Sequence, residues 1–154
     1  MRILVVYDSY FGNTEKIAQE IGNALGEDVP VKRPVDVEMG TLSGLDLLVV
    51  GAPTRAFRPS DAIRDFLKKI PSGALNNVKV AGFDTRADIE AVGNPILKFM
   101  VRLFGYAAEP IAKSLENRGG STVGMPAGFF VEDTEGPLRE NELERASAWA
   151  FSLF

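Results

Sequence analysis

Short apolar runs alternate with amphipathic helical patterns along this chain. Residues 2–7, 45–50 and 78–83 are mostly apolar and predict strands, and the apolar run at 45–50 is typical of a strand that is covered on both faces. Residues 14–25 instead carry apolar side chains every three to four positions, and Gly26 supplies a signal for the end of a helix. The alternation predicts strands that are joined by helices.

Two less regular segments extend this alternation. Residues 29–37 favour a strand, but Pro30 and Pro34 restrict it to the edge of a sheet. Ser60 is a favourable N-cap for a helix whose apolar side chains recur at helical spacing. The predicted inner face of that helix comprises Ile63, Phe66, Leu67 and Ile70.

The last third of the chain continues the same order. Residues 95–117 predict a helix that breaks at Gly105, residues 122–131 a fifth strand, and residues 137–153 a closing helix. Strands and helices that alternate with short connections predict a parallel sheet sandwiched between helices. We therefore expect one α/β domain over residues 1–154, a doubly wound, five-stranded parallel sheet with helices on both faces.

Composition narrows the chemistry of this domain. The 154 residues carry a net charge of −4, which argues against nucleic acid as a partner because nucleic-acid binders present a basic face. The chain has no cysteine and no histidine, so it lacks thiolate chemistry and the commonest general base. Redox or acid–base chemistry near neutral pH is therefore expected to come from a bound cofactor.

The sequence contains no candidate membrane segment. No apolar run approaches the roughly 18 residues of a spanning helix. The first apolar run is too short for a signal peptide and is already predicted as a strand. We therefore expect a cytoplasmic protein with no membrane span.

A polar loop joins the first predicted strand to the first helix and carries the strongest functional signal. The free N–H groups and the dipole of a helix N-terminus both favour an anion at this position. The glycine of the loop lets the main chain approach closely, and its hydroxyls add donors. We interpret it as a phosphate site, because a helix cap alone would explain only one of its polar residues. The loop consists of Ser9, Tyr10, Phe11, Gly12, Asn13 and Thr14.

Two more loops follow strands at the same predicted edge of the sheet. Ligands of open α/β sheets bind beyond the carboxyl ends of the strands, where the strand order reverses. The arginine, threonine and aromatic side chains of these loops favour a ligand, whereas plain turns with exposed arginines are the alternative. The second loop contains Pro53, Thr54, Arg55, Ala56 and Phe57, and the third, over residues 84–90, contains Asp84, Thr85 and Arg86.

Together these loops resemble those of the flavodoxin family. Residues 9–14 are similar to the family's phosphate loop, residues 51–56 to its second loop, and residues 83–86 to its third. Residues 51–56 also look like the Gly-x-Pro-Thr-Arg loop of flavodoxin-like quinone reductases. The resemblance implies the strand order 2-1-3-4-5 and one noncovalently bound FMN, with the residues of the three loops as its binding site.

Three positions depart from the family pattern. Phe11 replaces a threonine of the phosphate loop, so backbone N–H groups would have to compensate for a missing hydroxyl. Arg55 stands where a tryptophan usually contacts the flavin, which leaves Phe57 or the guanidinium planes of Arg55 and Arg86 for that contact. Ala56 replaces the usual glycine, so a positive φ there would cost about 1 kcal/mol.

The resemblance implies electron transfer through FMN, either in a carrier or in an enzyme. A carrier would meet redox partner proteins, and the short chain without a dinucleotide signature favours it. The enzyme would be an NAD(P)H- or quinone-linked FMN oxidoreductase with a small quinone or nicotinamide substrate. The apolar residues 96–106 suit a lid or a homodimer surface, with burial inside the monomer as the simpler alternative. A third alternative is a flavodoxin fold that binds partners without FMN.

Overall fold

In the computed structural model, the chain forms a parallel sheet with helices on both faces. The structure describes residues 1–88 and 93–154, and Leu103 and Phe104 are described by their backbone only. The strands are β1 (Ile3–Tyr7), β2 (Val31–Lys32), β3 (Leu47–Arg55), β4 (Arg58–Pro59), β5 (Lys79–Ala87), β6 (Ser121–Thr122) and β7 (Ala127–Val131). The helices are α1 (Asn13–Leu25), α2 (Asp61–Lys69), α3 (Pro95–Phe104), α4 (Ala108–Asn117) and α5 (Glu142–Phe151).

The strand order confirms the predicted doubly wound sheet. Strands lie in the order β2-β1-β3-β5, and both β6 and β7 pair with β5 in parallel. The short strand β4 folds back on β3 as an antiparallel hairpin outside this order. The predicted fifth strand is therefore divided into β6 and β7, and the order becomes 2-1-3-4-5 once the hairpin strand is set aside.

The core consists of two apolar layers, one on each face of the sheet. Successive side chains of a strand point to opposite faces. In β3, Leu48 and Val50 accordingly pack in the layer under α2 and α4, whereas Leu47 and Val49 pack in the layer under α1 and α5. All four are buried, and full burial of such a side chain stabilises the fold by about 1.5–3 kcal/mol. The continuous apolar run therefore reflects helices on both faces.

Two predicted boundaries are wrong, and one is confirmed. The edge strand is limited to Val31–Lys32, because Pro34 begins a 3-10 turn. The closing helix begins at Glu142 rather than at residue 137, because Leu138 still pairs with Val131 in an antiparallel bridge. The predicted break at Gly105 separates α3 from α4, and its φ of +72° is one that glycine adopts without strain.

The helices of the described residues are all too short or too polar to cross a membrane.

Candidate functional site

The carboxyl ends of β1, β3 and β5 meet around a cavity of about 160 Å³, called the switch-point cavity below. Most of the predicted site residues line it, namely Ser9, Tyr10, Phe11, Asn13, Thr14, Pro53, Thr54, Arg55, Thr85 and Arg86. Ala87, Val131 and Thr134 also line it and were not predicted. Gly12, Ala56, Phe57 and Asp84 are not among the lining residues, and the part of the third loop at residues 89–90 lies outside the described residues.

The N-terminus of α1 is buried and has no side-chain cap. Gly12 occupies the N-cap position with φ +91°, and its N–H donates to Ser9 Oγ at 3.0 Å. A Cβ at this position would meet no atom within 4 Å, so the backbone angle rather than space favours glycine here. Asn13 and Thr14, in the first turn, are buried, and first-turn N–H groups have no partners within their helix. These donors fit an anion such as a phosphate.

Side chains of the phosphate loop hold neighbouring segments in place. Thr14 Oγ1 and Thr85 Oγ1 share a buried hydrogen bond of 2.7 Å, which joins the first loop to the third. Asn13 Nδ2 donates to the carbonyl oxygen of Glu135 at 3.1 Å, which joins the first loop to the segment after β7. Asn13 therefore binds the protein itself through its amide nitrogen.

Arg33 anchors the phosphate loop and was missed by the sequence analysis. Its Nη1 donates to Asp8 Oδ1 at 3.1 Å and to the carbonyl oxygen of Ser9 at 3.3 Å. Its guanidinium also lies 5.1 Å from the ring centre of Tyr7, whose hydroxyl donates to Glu15 at 2.6 Å. Burial and this hydrogen bond raise the pKa of Tyr7 above its usual value. No local motif marks Arg33, because its hydrogen-bond partners Asp8 and Ser9 are more than twenty residues away in the sequence.

The second loop forms a tight hairpin at the rim of the cavity. Arg55 pairs with Arg58 across a two-residue turn, in which Ala56 has φ +50° and Phe57 has φ +67°. Two successive positive φ angles are typical of a type I′ turn, which usually takes Asn-Gly. Ala56 therefore has the positive φ that is costly for a residue other than glycine. The Arg55 guanidinium lies 4.6 Å from the ring centre of Tyr10 and so connects this hairpin to the phosphate loop.

Asp84 has a structural role in the third loop. Its buried carboxylate accepts hydrogen bonds from Arg86 Nε at 2.7 Å, from Arg86 Nη2 at 2.6 Å and from the N–H of Ala108 at 2.8 Å. The Arg86 guanidinium stacks 3.7 Å from the ring centre of Tyr106, and a Cβ at Gly128 would overlap it. Burial raises the pKa of Asp84, against the effect of Arg86 and the amide. Asp84 thus positions Arg86 and the start of α4.

The switch-point cavity has two arginines that differ in their partners, and it has aromatic side chains at its rim. Arg86 is neutralised by Asp84, whereas Arg55 has no carboxylate partner among the described residues. Tyr10 and Phe11 are 48% and 47% exposed at the rim, and their ring centres lie 6.5 Å apart. The cavity therefore combines free helix N–H groups, one unpaired cation and an aromatic rim.

A larger cavity of about 810 Å³ lies at the opposite edge of the sheet, near Met1, Leu25 and Phe154. None of the three predicted loops contributes to its lining. Ligands of open α/β sheets bind at the carboxyl ends of the strands, so the switch-point cavity is the candidate functional site. Its volume is below the range of about 300–1,000 Å³ for enclosed ligand pockets, so it would enclose only part of a cofactor.

Comparison with solved structures shows a shared fold. A flavodoxin from the domain Archaea has a TM-score of 0.74 and 20% identity, with 99% of this chain and 96% of that chain covered. Oxidised Flavodoxin 1 from Bacillus cereus has a TM-score of 0.74 and 18% identity, with coverages of 99% and 97%. Two-electron reduced flavodoxin from Megasphaera elsdenii has a TM-score of 0.66 and 22% identity, with coverages of 96% and 97%.

Sequence comparison agrees with the structural similarity. No curated protein matches the chain. The family model described as a flavodoxin domain matches residues 4–119, which is well over half of the chain. This match confirms the predicted family and, with it, the predicted class of flavodoxin-like electron transfer. The protein therefore belongs to the flavodoxin family.

Proposed function

We propose that this chain binds one FMN noncovalently and carries electrons between redox partner proteins. The buried and uncapped N-terminus of α1 carries the proposal, because its N–H groups and dipole suit a phosphate monoester. The bound flavin would supply the redox chemistry, and the chain would bind and orient it.

The switch-point cavity has hydrogen-bond donors that suit the phosphate of FMN and aromatic surface that suits its ring. The hydroxyl of Ser9 adds to the backbone donors at the phosphate end, whereas the hydroxyl of Thr14 is shared with Thr85. Tyr10 and Phe11 provide aromatic surface, and Arg55 provides a cation for electron-rich groups. Because the cavity is small, part of the cofactor would remain accessible, and this accessibility suits exchange of electrons with a docked protein.

The alternative is an FMN oxidoreductase that uses a nicotinamide or quinone. It is favoured by α3, where Ile96 is 73% and Phe99 is 57% exposed, so that a second copy or a lid would have an apolar surface to cover. Such an enzyme would oxidise NADH or NADPH with a quinone in steady-state turnover. Electron exchange with a reduced redox protein, without that turnover, would identify the carrier.

The phosphate contact is tested by comparing FMN with riboflavin, which lacks the phosphate. Quenching of flavin fluorescence during titration gives both dissociation constants. We expect FMN to bind about 100-fold more tightly or better, because hydrogen bonds to charged groups contribute about 1.5–3 kcal/mol each. Ser9→Ala should weaken FMN binding about tenfold and leave riboflavin binding unchanged.

Ser72→Ala, at an exposed position away from the site, is the matched control and should bind FMN like the wild-type chain. Equal affinities for FMN and riboflavin would contradict the phosphate site. Absence of binding for both would instead support a partner-binding module without flavin.

A further inference from the structure

A third cavity, of about 270 Å³, lies between β4, α2 and one side of α4. We call it the cationic cavity, because it is lined by Arg58, Arg64, Lys68 and Arg118, together with Pro59, Leu67, Pro110 and Ser114. Its lining contains four basic side chains and no carboxylate among the residues that the structure describes. This concentration of positive charge occurs on a chain whose net charge is −4.

Most of this charge is not compensated by the protein. Arg64 pairs with Asp61 at 3.1 Å, but that carboxylate is 89% exposed and therefore well hydrated. Arg118 uses its Nε to donate to the carbonyl oxygen of Ile70 at 2.8 Å, which orients the guanidinium without neutralising it. Arg58 and Lys68 have no ion-pair partner within residues 1–88 and 93–154. Like charges gathered in a concave site repel each other and attract an anion.

We propose that the cationic cavity binds a phosphate-bearing small molecule. Guanidinium groups match the oxygens of phosphate with pairs of parallel hydrogen bonds, and two arginines that line the cavity, Arg58 and Arg118, have no carboxylate partner among the described residues. The Ser114 hydroxyl adds a donor. Pro59 and Leu67 give apolar surface for the remainder of the ligand, the usual composition of a small-molecule site.

The hairpin of β3 and β4 lies between the cationic cavity and the switch-point cavity. Arg58 and Pro59 line the former, and their partners in the hairpin register, Arg55 and Thr54, line the latter. A ligand in one cavity that restrains this hairpin is expected to change the affinity of the other cavity for its ligand. The effect is reciprocal. This coupling rests on the proposed FMN site, whereas phosphate binding in the cationic cavity does not.

The test is an NMR titration of the ¹⁵N-labelled chain with pyrophosphate at constant ionic strength, with and without FMN. We expect saturable shifts of the amides at residues 58, 64, 68 and 118. Arg58→Gln and Lys68→Gln should each weaken binding about tenfold, as expected for loss of a charged hydrogen bond. Both side chains belong to exposed residues, and dispersed spectra of the variants verify that they fold. With FMN bound, the pyrophosphate affinity should differ from that of the FMN-free chain.

Lys113→Gln on α4 is the matched control, because Lys113 is exposed and does not line the cavity. The proposal is overturned if Lys113→Gln weakens binding as much as Arg58→Gln, or if shifts occur only at residues 9–14. Citrate is the control ligand that carries carboxylates in place of phosphates. If citrate binds as tightly as pyrophosphate, the assignment of a phosphate ligand is overturned. A chain that binds pyrophosphate here but not FMN would refute the proposed function alone.

Discussion

At the scale of single residues, Asp84 shows how burial changes the role of a side chain. In the sequence it belongs to a predicted ligand loop, but its carboxylate is fully buried and bound to Arg86 and the N–H of Ala108. Burial holds its folded-state pKa above the usual value, so the folded state binds a proton more readily than the unfolded state. Stability linked to Asp84 is therefore lost as pH rises through the folded-state pKa.

Replacement of Arg86, the ion-pair partner of Asp84, should increase this loss of stability at high pH. Arg86→Leu leaves a buried carboxylate without its ion pair, which raises the pKa of Asp84 further. We expect Arg86→Leu to destabilise the fold by about 3 kcal/mol at mildly alkaline pH and by less as the pH falls, because a larger fraction of Asp84 is then protonated. Urea unfolding at both pH values measures the difference.

Arg64→Leu provides the comparison, because its partner Asp61 is 89% exposed and such pairs contribute about 0–1 kcal/mol. Its effect should be small and the same at both pH values. An equal effect of Arg86→Leu at both pH values would show that Asp84 does not titrate as argued.

At the scale of elements, the β3–β4 hairpin is a turn built from residues that do not favour its backbone angles. Ala56 and Phe57 both have positive φ, which costs about 1–2 kcal/mol for each residue other than glycine. The pairing of Arg55 with Arg58 and the hydrogen bond from the N–H of Ala107 to Thr54 at 3.2 Å hold the hairpin in place. Tertiary contacts thus maintain a turn that local preference disfavours.

Glycine at the first turn position should relieve part of this strain. Ala56→Gly removes about 1–2 kcal/mol of strain but adds roughly 0.4–1 kcal/mol of unfolded-state entropy. We expect a net stabilisation of about 0.5–1 kcal/mol in urea unfolding. Ala148→Gly, at an exposed position inside α5, should instead destabilise by about 1 kcal/mol. Destabilisation by both variants would show that the turn is not strained.

At the scale of the whole molecule, the functional site joins distant parts of the chain. The phosphate loop contacts the third loop through Thr14 and Thr85, and it contacts the segment after β7 through Asn13 and Glu135. A ligand in the switch-point cavity would therefore touch loops that only the complete fold brings together. Binding of a ligand in this cavity should therefore stabilise the whole folded domain against unfolding.

FMN should raise the thermal stability of the chain. At a free concentration 100 times its dissociation constant, a ligand stabilises the folded state by about 2.7 kcal/mol. For a chain of 154 residues this corresponds to an increase in Tm of about 5–10 °C. Differential scanning calorimetry with FMN, and with riboflavin at the same concentration as the control, measures the shift. Equal shifts would contradict a contribution from the phosphate.

Local pattern in the sequence was sufficient to predict the parallel sheet, whereas the family and the strand order were implied by the resemblance of the three loops to those of flavodoxins. Neighbouring residues determine the apolar runs of the strands, the periodicity of the helices and the break at Gly105. These features can therefore be predicted before the tertiary structure is known. The positions of the three ligand loops follow from the same pattern, because each loop comes directly after a strand. The assignment of FMN, of the site residues and of a cytoplasmic location remains a prediction.

Tertiary structure alone decided which side chains turn toward the cavity. The partners of Arg33, Asn13 and Thr14 lie tens of residues away in the sequence, so no local pattern reveals these contacts. The division of the fifth strand and the inward turn of Asp84 likewise depend on pairing and burial between distant elements. Secondary structure is determined largely by short-range periodicity, whereas the site depends on long-range contacts that exist only after the sheet and its helices have packed.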